Sequence, residues 1–420
     1  MRDTHAAIEA VWRIESARLI AGLARAVGDV GIAEDLAQEA LVAALQQWPE
    51  SGVPDDPAAW LATVGRRRAL DLHRRRATLQ HKHDELGREL ETEQQVVRAG
   101  QAAADADDVG DDLLRLILVA CHPILSQNAR VALTLRLLGG LTTDEIARAF
   151  LQPEATVAQR IVRAKRALAE AHVPFEVPAA PELGARLASV LEVVYLIFNE
   201  GYSATSGSDW IRPGLCDEAL RLGRILAELV PNESEVHGLV ALMELQASRL
   251  HARLGPSGEP ILLADQDRAR WDRLLIRRGL ASLARAERIG RAFGPYALQA
   301  AIAAQHAIAP SVEGTDWPRI AALYDALAQV APSPIVLLNR AVAVGMAFGP
   351  AAGLEALDGL GAEGTLATYH LLPSVRADLL EKLGRTDEAR HELRRAAALT
   401  RNERERALLE ERLERLSAKA

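Results

Sequence analysis

LTTDEIARAFLQPEATVAQRIVRAKRAL, Leu141 to Leu168, reads as two short helices joined by a tight turn. Thr142 or Thr143 can cap the first helix, because a threonine hydroxyl accepts a backbone N–H that a helix start leaves unpaired, and Glu145 stands where a capping-box acid falls. Ile146, Ala147 and Phe150 make the apolar stripe of that helix. Pro153 stands where the second helix begins, a place that tolerates a missing N–H. There Thr156, Val157, Ile161, Ala164 and Leu168 fall near one face, leaving Gln159, Arg160, Arg163, Lys165 and Arg166 for the others. A short helix, a turn and a second helix with a polar, basic face is a geometry that places side chains in a DNA major groove. Arg and Gln suit bidentate contacts to base edges, and Lys suits phosphates. An ordinary helical hairpin with solvated cations has the same spacing, and a helix-turn-helix alone does not choose among classes of DNA-binding regulator.

On its N-terminal side, residues 6–47 read as two or three helices punctuated at Gly28 and Gly31. Ala33, Leu36, Ala37, Ala40, Leu41, Ala44 and Leu45 recur at helical spacing up to Trp48. Pro49 to Pro57 reads as a loop, and a helix from Ala58 to Arg76 follows, apolar at first and basic at its end. Segment 66–76, RRRALDLHRRR, holds six Arg and one Asp, a balance of +5, whereas 84–112 holds ten acidic residues and two Arg, a balance of −8. The net charge of −8 therefore hides a segregated distribution, and a basic face can meet DNA while the sum stays acidic. Residues 77–111 lose apolar periodicity and read as an acidic linker.

On the C-terminal side, Pro174, Pro178 and Pro181 mark a second linker over 173–181, and helix after helix is expected from Glu182 onward. In ADLLEKLGRTDEARHELRRAAAL, Ala377, Gly384, Ala389, Leu393 and Ala396 sit at tetratricopeptide-like spacings, and Gly349 precedes Gly384 by 35 residues, near that repeat's period. Aromatic residues are only 4% of the chain and the apolar positions are mostly Ala, Leu and Val, a mix that favours helix over strand. The expectation is an all-α protein of 420 residues in several parts. Cys121 and Cys216 have no CxxC partner, which excludes a disulfide framework and fits a reducing cytoplasm. Met1 to Ala10 is polar and lacks a signal-peptide pattern, and no apolar run is long enough for a membrane span. No Walker loop, HExxH or GxSxG occurs, and His81 and His83 in an acidic stretch make a poor metal site, so neither an enzyme, a cofactor nor a metal is expected.

Ala33 to Trp48 (AEDLAQEALVAALQQW) followed by Pro57 to Arg76 (PAAWLATVGRRRALDLHRRR) resembles region 2 of the extracytoplasmic-function (ECF) σ factors, and Leu141 to Leu168 resembles their region 4. The resemblance implies core RNA polymerase and promoter DNA as partners. It implies docking of Asp35, Gln38 and Glu39 on the β′ clamp helices, and contact of region 4 with the β flap. Trp48, Ser51, Asp55 and Asp56 match the loop that captures a flipped −10 base, a step that needs a receiving pocket because extrusion costs a few kcal/mol. Trp60, Arg66, Arg67, Arg68, Arg74, Arg75 and Arg76 match the −10 helix. The −35 readers fall on Ala158, Gln159, Val162 and Arg163, beside Thr156, Arg160, Lys165 and Arg166. Ala158 and Val162 are apolar where the family often has Arg or an aromatic residue. Glu192 to Thr205 (EVVYLIFNEGYSAT) resembles the signature of a subgroup with a long helical extension, within which Asn199, Glu200, Tyr202 and Ser203 are candidates for a ligand or partner site. The implied parts are region 2 at 1–76, the acidic linker at 77–111, region 4 at 112–172, the Pro-rich linker at 173–181 and a tetratricopeptide-like regulatory domain at 182–420. A helix-turn-helix regulator that never engages polymerase is the competing reading.

Overall fold

A computed structural model describes residues 2–81, 106–204, 210–256, 258–358, 369–400 and 402–418; most of the acidic linker, 82–105, lies outside them. Among the described residues there are helices and turns but no named strand, with one antiparallel bridge between Leu254 and Pro260. The chain divides into two compact units, Met1–Leu196 and Ile197–Ala420. The division falls inside a helix and not at the prolines of 173–181.

The first unit holds α1 (Arg2–Val27), α2 (Val30–Ser51), α3 (Pro57–His81), α4 (Ala106–Ala120), α5 (Gln127–Leu137), α6 (Thr143–Ala149) and α7 (Glu154–Glu170). Helix α1 packs on α2, α3 and α4, so the N-terminal bundle and the segment leading to the helix-turn-helix share one core. Asp29 caps α2 through the Ile32 N–H at 2.9 Å, and Gly28 alone makes the break, since Gly31 lies within α2. The loop expected from Pro49 begins three residues later. Pro49 lacks the N–H that would reach Leu45, but Leu45 is an exposed residue of the helix's last turns, where one missing bond is tolerated. The buried ring of Trp48 anchors this last turn, and Gly52, at φ 85°, closes it by donating to the Trp48 carbonyl at 3.0 Å. The basic helix also runs beyond Arg76, to His81.

Helix α8 (Ala180–Tyr202) carries the boundary between the units. Its first half is fastened to the first unit: Ser189 Oγ donates to the Cys121 carbonyl at 2.7 Å, Arg130 reaches Glu192 at 3.0 Å, and Arg186 donates to the Leu118 carbonyl at 2.9 Å. The second unit continues with α9 (Pro213–Leu229), α10 (Ser234–Ala247), α11 (Arg273–Ile289), α12 (Pro295–Ile308), α13 (Trp317–Val330), α14 (Pro334–Phe348), α15 (Pro350–Asp358), α16 (Leu371–Lys382), α17 (Thr386–Leu399) and α18 (Glu403–Ala418). Gly349 ends α14 at φ 103° and Gly384 follows α16 at φ 75°, so the spaced glycines mark equivalent turns of two successive helical pairs. Leu338, Leu357, Leu380, Leu393 and Leu409 close a shared core across those pairs. The longest interruption between these helices lies at 248–272. Gly255, Pro256 and Pro260 interrupt the chain there, which turns through short 3-10 segments at Leu250–Ala252, Leu263–Asp265 and Arg268–Arg270.

Candidate nucleic-acid interface

The helix-turn-helix is assembled as its spacing requires. Thr142 Oγ1 accepts the Glu145 N–H at 3.2 Å and Glu145 Oε2 accepts the Thr142 N–H at 2.8 Å, which closes the capping box. Burial alone would raise the Glu145 carboxyl, but the bonds from Thr142 and the nearby Arg13 and Arg148 hold it below the usual range. Pro153 takes the cap position and α7 starts one residue on, at Glu154. Leu151, at φ 48°, supplies the left-handed step of the turn. Val157, Ile161, Ala164 and Leu168 are buried, a spacing of four, three and four that makes one stripe.

That stripe leaves Thr156, Gln159, Val162, Arg163 and Arg166 exposed. Arg166 pairs with Glu170 at 2.7 Å. Arg160 is half-buried and donates to Gln152 Oε1 at 2.8 Å, and Ala158 is also half-buried. Lys165 turns inward to a carboxylate at 2.8 Å.

On α3, Arg67, Arg68, Arg74 and Arg75 are exposed. Arg66 is half-buried and donates to the Ala62 carbonyl at 3.1 Å; Arg68 approaches Glu39 at 3.5 Å. Arg76 is placed on the same helix. Ser51, Asp55 and Asp56 are exposed in the preceding loop, where Asp56 Oδ1 also accepts the Ala59 N–H at 2.9 Å and so caps α3. Trp48 is 1% exposed and meets Trp60 edge-on, with ring centroids 5.3 Å apart. Trp48 is thus a buried ring and not an exposed one, while Trp60 is half-buried.

Sequence reasoning passed over Glu34, which the structure makes the hub of the first unit. It is 3% exposed, and it holds Arg136 Nε at 2.6 Å, Lys165 Nζ at 2.8 Å and Gln38 Nε2 at 2.7 Å. Burial pushes its carboxyl up, but Lys165 and then Arg136 outweigh that and hold it below the ordinary value. Asp35, exposed beside it, stands 3.5 Å from the same ammonium. The signal was present in the sequence: Glu34 lies four residues after Val30 and three before Ala37, inside the buried stripe of α2.

In the second unit, Glu200 is buried and ion-paired to Arg212. Tyr202 stacks on Phe198 at 5.7 Å, and the Asn199 carbonyl accepts the Ser203 N–H at 2.8 Å. Glu200 and Tyr202 thus have side-chain partners, Asn199 and Ser203 are joined through their backbones, and Tyr202 also meets a cluster of cations. Among the described residues no group of three His, Cys, Asp or Glu side chains is arranged to hold a metal ion. None of the described helices is long and apolar enough to cross a membrane.

An exposed arginine helix and a capped helix-turn-helix in one chain fit a promoter-recognition protein, and the family matches place it in the σ70 class. The chain matches σ70 region 2 over residues 14–78 and σ70 region 4 over 115–168, and a family of unknown function, DUF6596, over 186–287. An uncharacterized protein of Rhizobium meliloti is 44% identical over 94% of this chain and 92% of its own length. A Mycobacterium tuberculosis protein named "Probable ECF RNA polymerase sigma factor SigI", found in two strains, is 30% identical over 42% of this chain and 59% of its own. No solved structure gives a significant match. The chain belongs to the ECF-type σ factors, in a form with a C-terminal extension, and core RNA polymerase and promoter DNA are its general partners.

Proposed function

We propose that this protein directs core polymerase to promoters by holding the −10 element on α3 and its preceding loop and reading the −35 element with α7. In this reading Arg66, Arg67, Arg68, Arg74, Arg75 and Arg76 follow the phosphates, and Trp60 with the loop residues Ser51, Asp55 and Asp56 receives the −10 base above Trp48. Thr156, Gln159, Arg160, Arg163, Lys165 and Arg166 face the −35 duplex. Asp35, Gln38 and Glu39 dock on the β′ clamp helices and region 4 on the β flap. The segments take the parts given to them above, with 182–420 as a regulatory domain that receives a protein or a small molecule. The observation that carries the proposal is a pair of cationic faces on separate helical elements: Arg67, Arg68, Arg74 and Arg75 on α3, Arg163 and Arg166 on α7.

The contact of Lys165 with Glu34 and Asp35 bears on the mechanism. It sets one DNA-facing cation against the helix assigned to polymerase docking. Both surfaces become usable together when α7 leaves α2, so the arrangement described here is a resting one.

Run-off transcription with purified core polymerase tests the proposal. Transcripts from specific starts that require the protein are expected. Tight binding of duplex DNA by the protein alone, with no effect on polymerase, would instead identify a helix-turn-helix regulator. Promoter output unchanged by loss of the second unit would remove its regulatory part.

A further inference from the structure

The interrupted stretch 248–272 brings three arginines together with no carboxylate in salt-bridge contact, although Glu405 acts on Arg253 and Glu313 on Arg268 from farther off. Arg253 is 6% exposed, with its guanidinium carbon 3.6 Å from the Tyr202 ring centre and 4.3 Å from that of Trp210. Arg249 stands 5.8 Å from both the Tyr202 and the Trp271 rings. Arg268 stands 4.9 Å from Trp271 on its other flank. Guanidinium and ring therefore alternate in the order Arg253, Tyr202, Arg249, Trp271, Arg268.

Cation–π contacts stabilise each arginine but neutralise none of them. Elsewhere in the same unit arginines meet acids: Arg224 and Arg278 share Glu244, and Arg412 bridges Asp378 and Glu381. Among the described residues Arg249, Arg253 and Arg268 form no ion pair, in a chain with 57 acidic residues against 49 basic ones. Arg249 donates to Tyr202 Oη at 2.8 Å and Arg253 to the Tyr202 carbonyl, one bond each from the five N–H groups a guanidinium carries. Arg268 is held by the carbonyls of His306 and Ala309, at 2.5 and 2.8 Å.

The mutual repulsion shows in the titration of the neighbours. Burial, then Arg249 and Arg268, push His306 down to about 4, so it is neutral at physiological pH and adds no charge of its own. Burial and then Arg249 also lower Arg253. A second sign is independent of charge: Trp271 is 3% exposed and its indole N–H has no acceptor.

We propose that Arg249, Arg253 and Arg268 form a receptor for a small phosphate-bearing molecule, with the Tyr202 and Trp271 rings holding Arg249 in place between them. A carboxylate brings one charge to three cations. A phosphate monoester brings close to two, with three acceptor oxygens for the unused donors. The depth of Arg253 excludes a macromolecular surface, whereas Arg249 and Arg268 are half-exposed and admit a small ion. The site lies wholly in the second unit, so this inference goes beyond the σ-factor reading and stands or falls without it.

The test uses the full chain and inorganic phosphate. The melting temperature of the second transition should rise with phosphate by about 2 °C or more near about 10 mM, and not with chloride of equal ionic strength. The 31P line of phosphate should broaden in the presence of the wild-type protein. Arg249→Gln and Arg268→Gln should each abolish both effects. Equal responses to phosphate and chloride, or a phosphate response that survives both substitutions, would overturn the proposal. A response to citrate but not to phosphate would overturn the assigned ligand class. The phosphorus line needs only wild-type protein, so a variant that fails to fold leaves the question decidable.

Discussion

Single side chains on α7 and α3 have separable duties. Gln159 and Arg163 are exposed, and on the proposed reading they meet base edges, so Gln159→Ala or Arg163→Ala should cost about 1–3 kcal/mol of −35 discrimination, measured as relative run-off from promoters differing at one base. Arg67→Ala should instead weaken all promoters alike and reduce the salt dependence of binding by about one phosphate contact. Cys121 makes a different kind of prediction. It is buried beside Thr134 Oγ1 at 3.3 Å, and burial pushes its thiol up to about 11. At pH 8 it should resist a thiol reagent in the folded protein and react once the protein is unfolded. Most of these exposures were legible from spacing, because a 3.6-residue period fixes which positions face outward. The burial of Trp48 was not, since it is completed by the ring of Trp60 across a break in periodicity.

Helix α2 is decided by one carboxylate. Glu34→Ala leaves Arg136 and Lys165, each about one-fifth exposed, without their anion, and should destabilise the first unit by about 3 kcal/mol in chemical denaturation. Because folding lowers the Glu34 pKa, its contribution is complete above the ordinary glutamate value of 4.5 and is lost as pH falls through the lower folded value. Glu34→Gln should flatten the acid limb of stability against pH. In α6, Thr142→Ala removes the cap and should cost about 1 kcal/mol. The capping box was visible in sequence because its partners are three residues apart. The Glu34 cluster was not, because Arg136 and Lys165 lie on two other helices and no local pattern links them. Pro49 misled for a related reason: proline forbids one hydrogen bond, and at an exposed last turn that bond is dispensable.

Taken as a whole, the chain is organised by where its acids are missing as much as by where its bases cluster. The all-α class followed from composition, and the second unit's late repeats from two glycines. At 248–272, Gly255, Pro256 and Pro260 signal a turn in the sequence but give neither its length nor its short 3-10 segments. The boundary in α8 also has a practical result. A chain ending at residue 175 loses Ser189, Arg186 and Glu192 and leaves Arg130 without its acid, so region 4 itself should melt at lower temperature, followed by circular dichroism. Such a truncation reports on two effects, and Arg130→Gln in the full chain separates them. Finally, Trp271 and Trp210 stand against guanidinium groups at 4.9 and 4.3 Å. Their ultraviolet emission is therefore a built-in gauge: any solute that draws those cations away from the indoles would change its brightness or colour, and a screen for inducers could read the protein unlabelled.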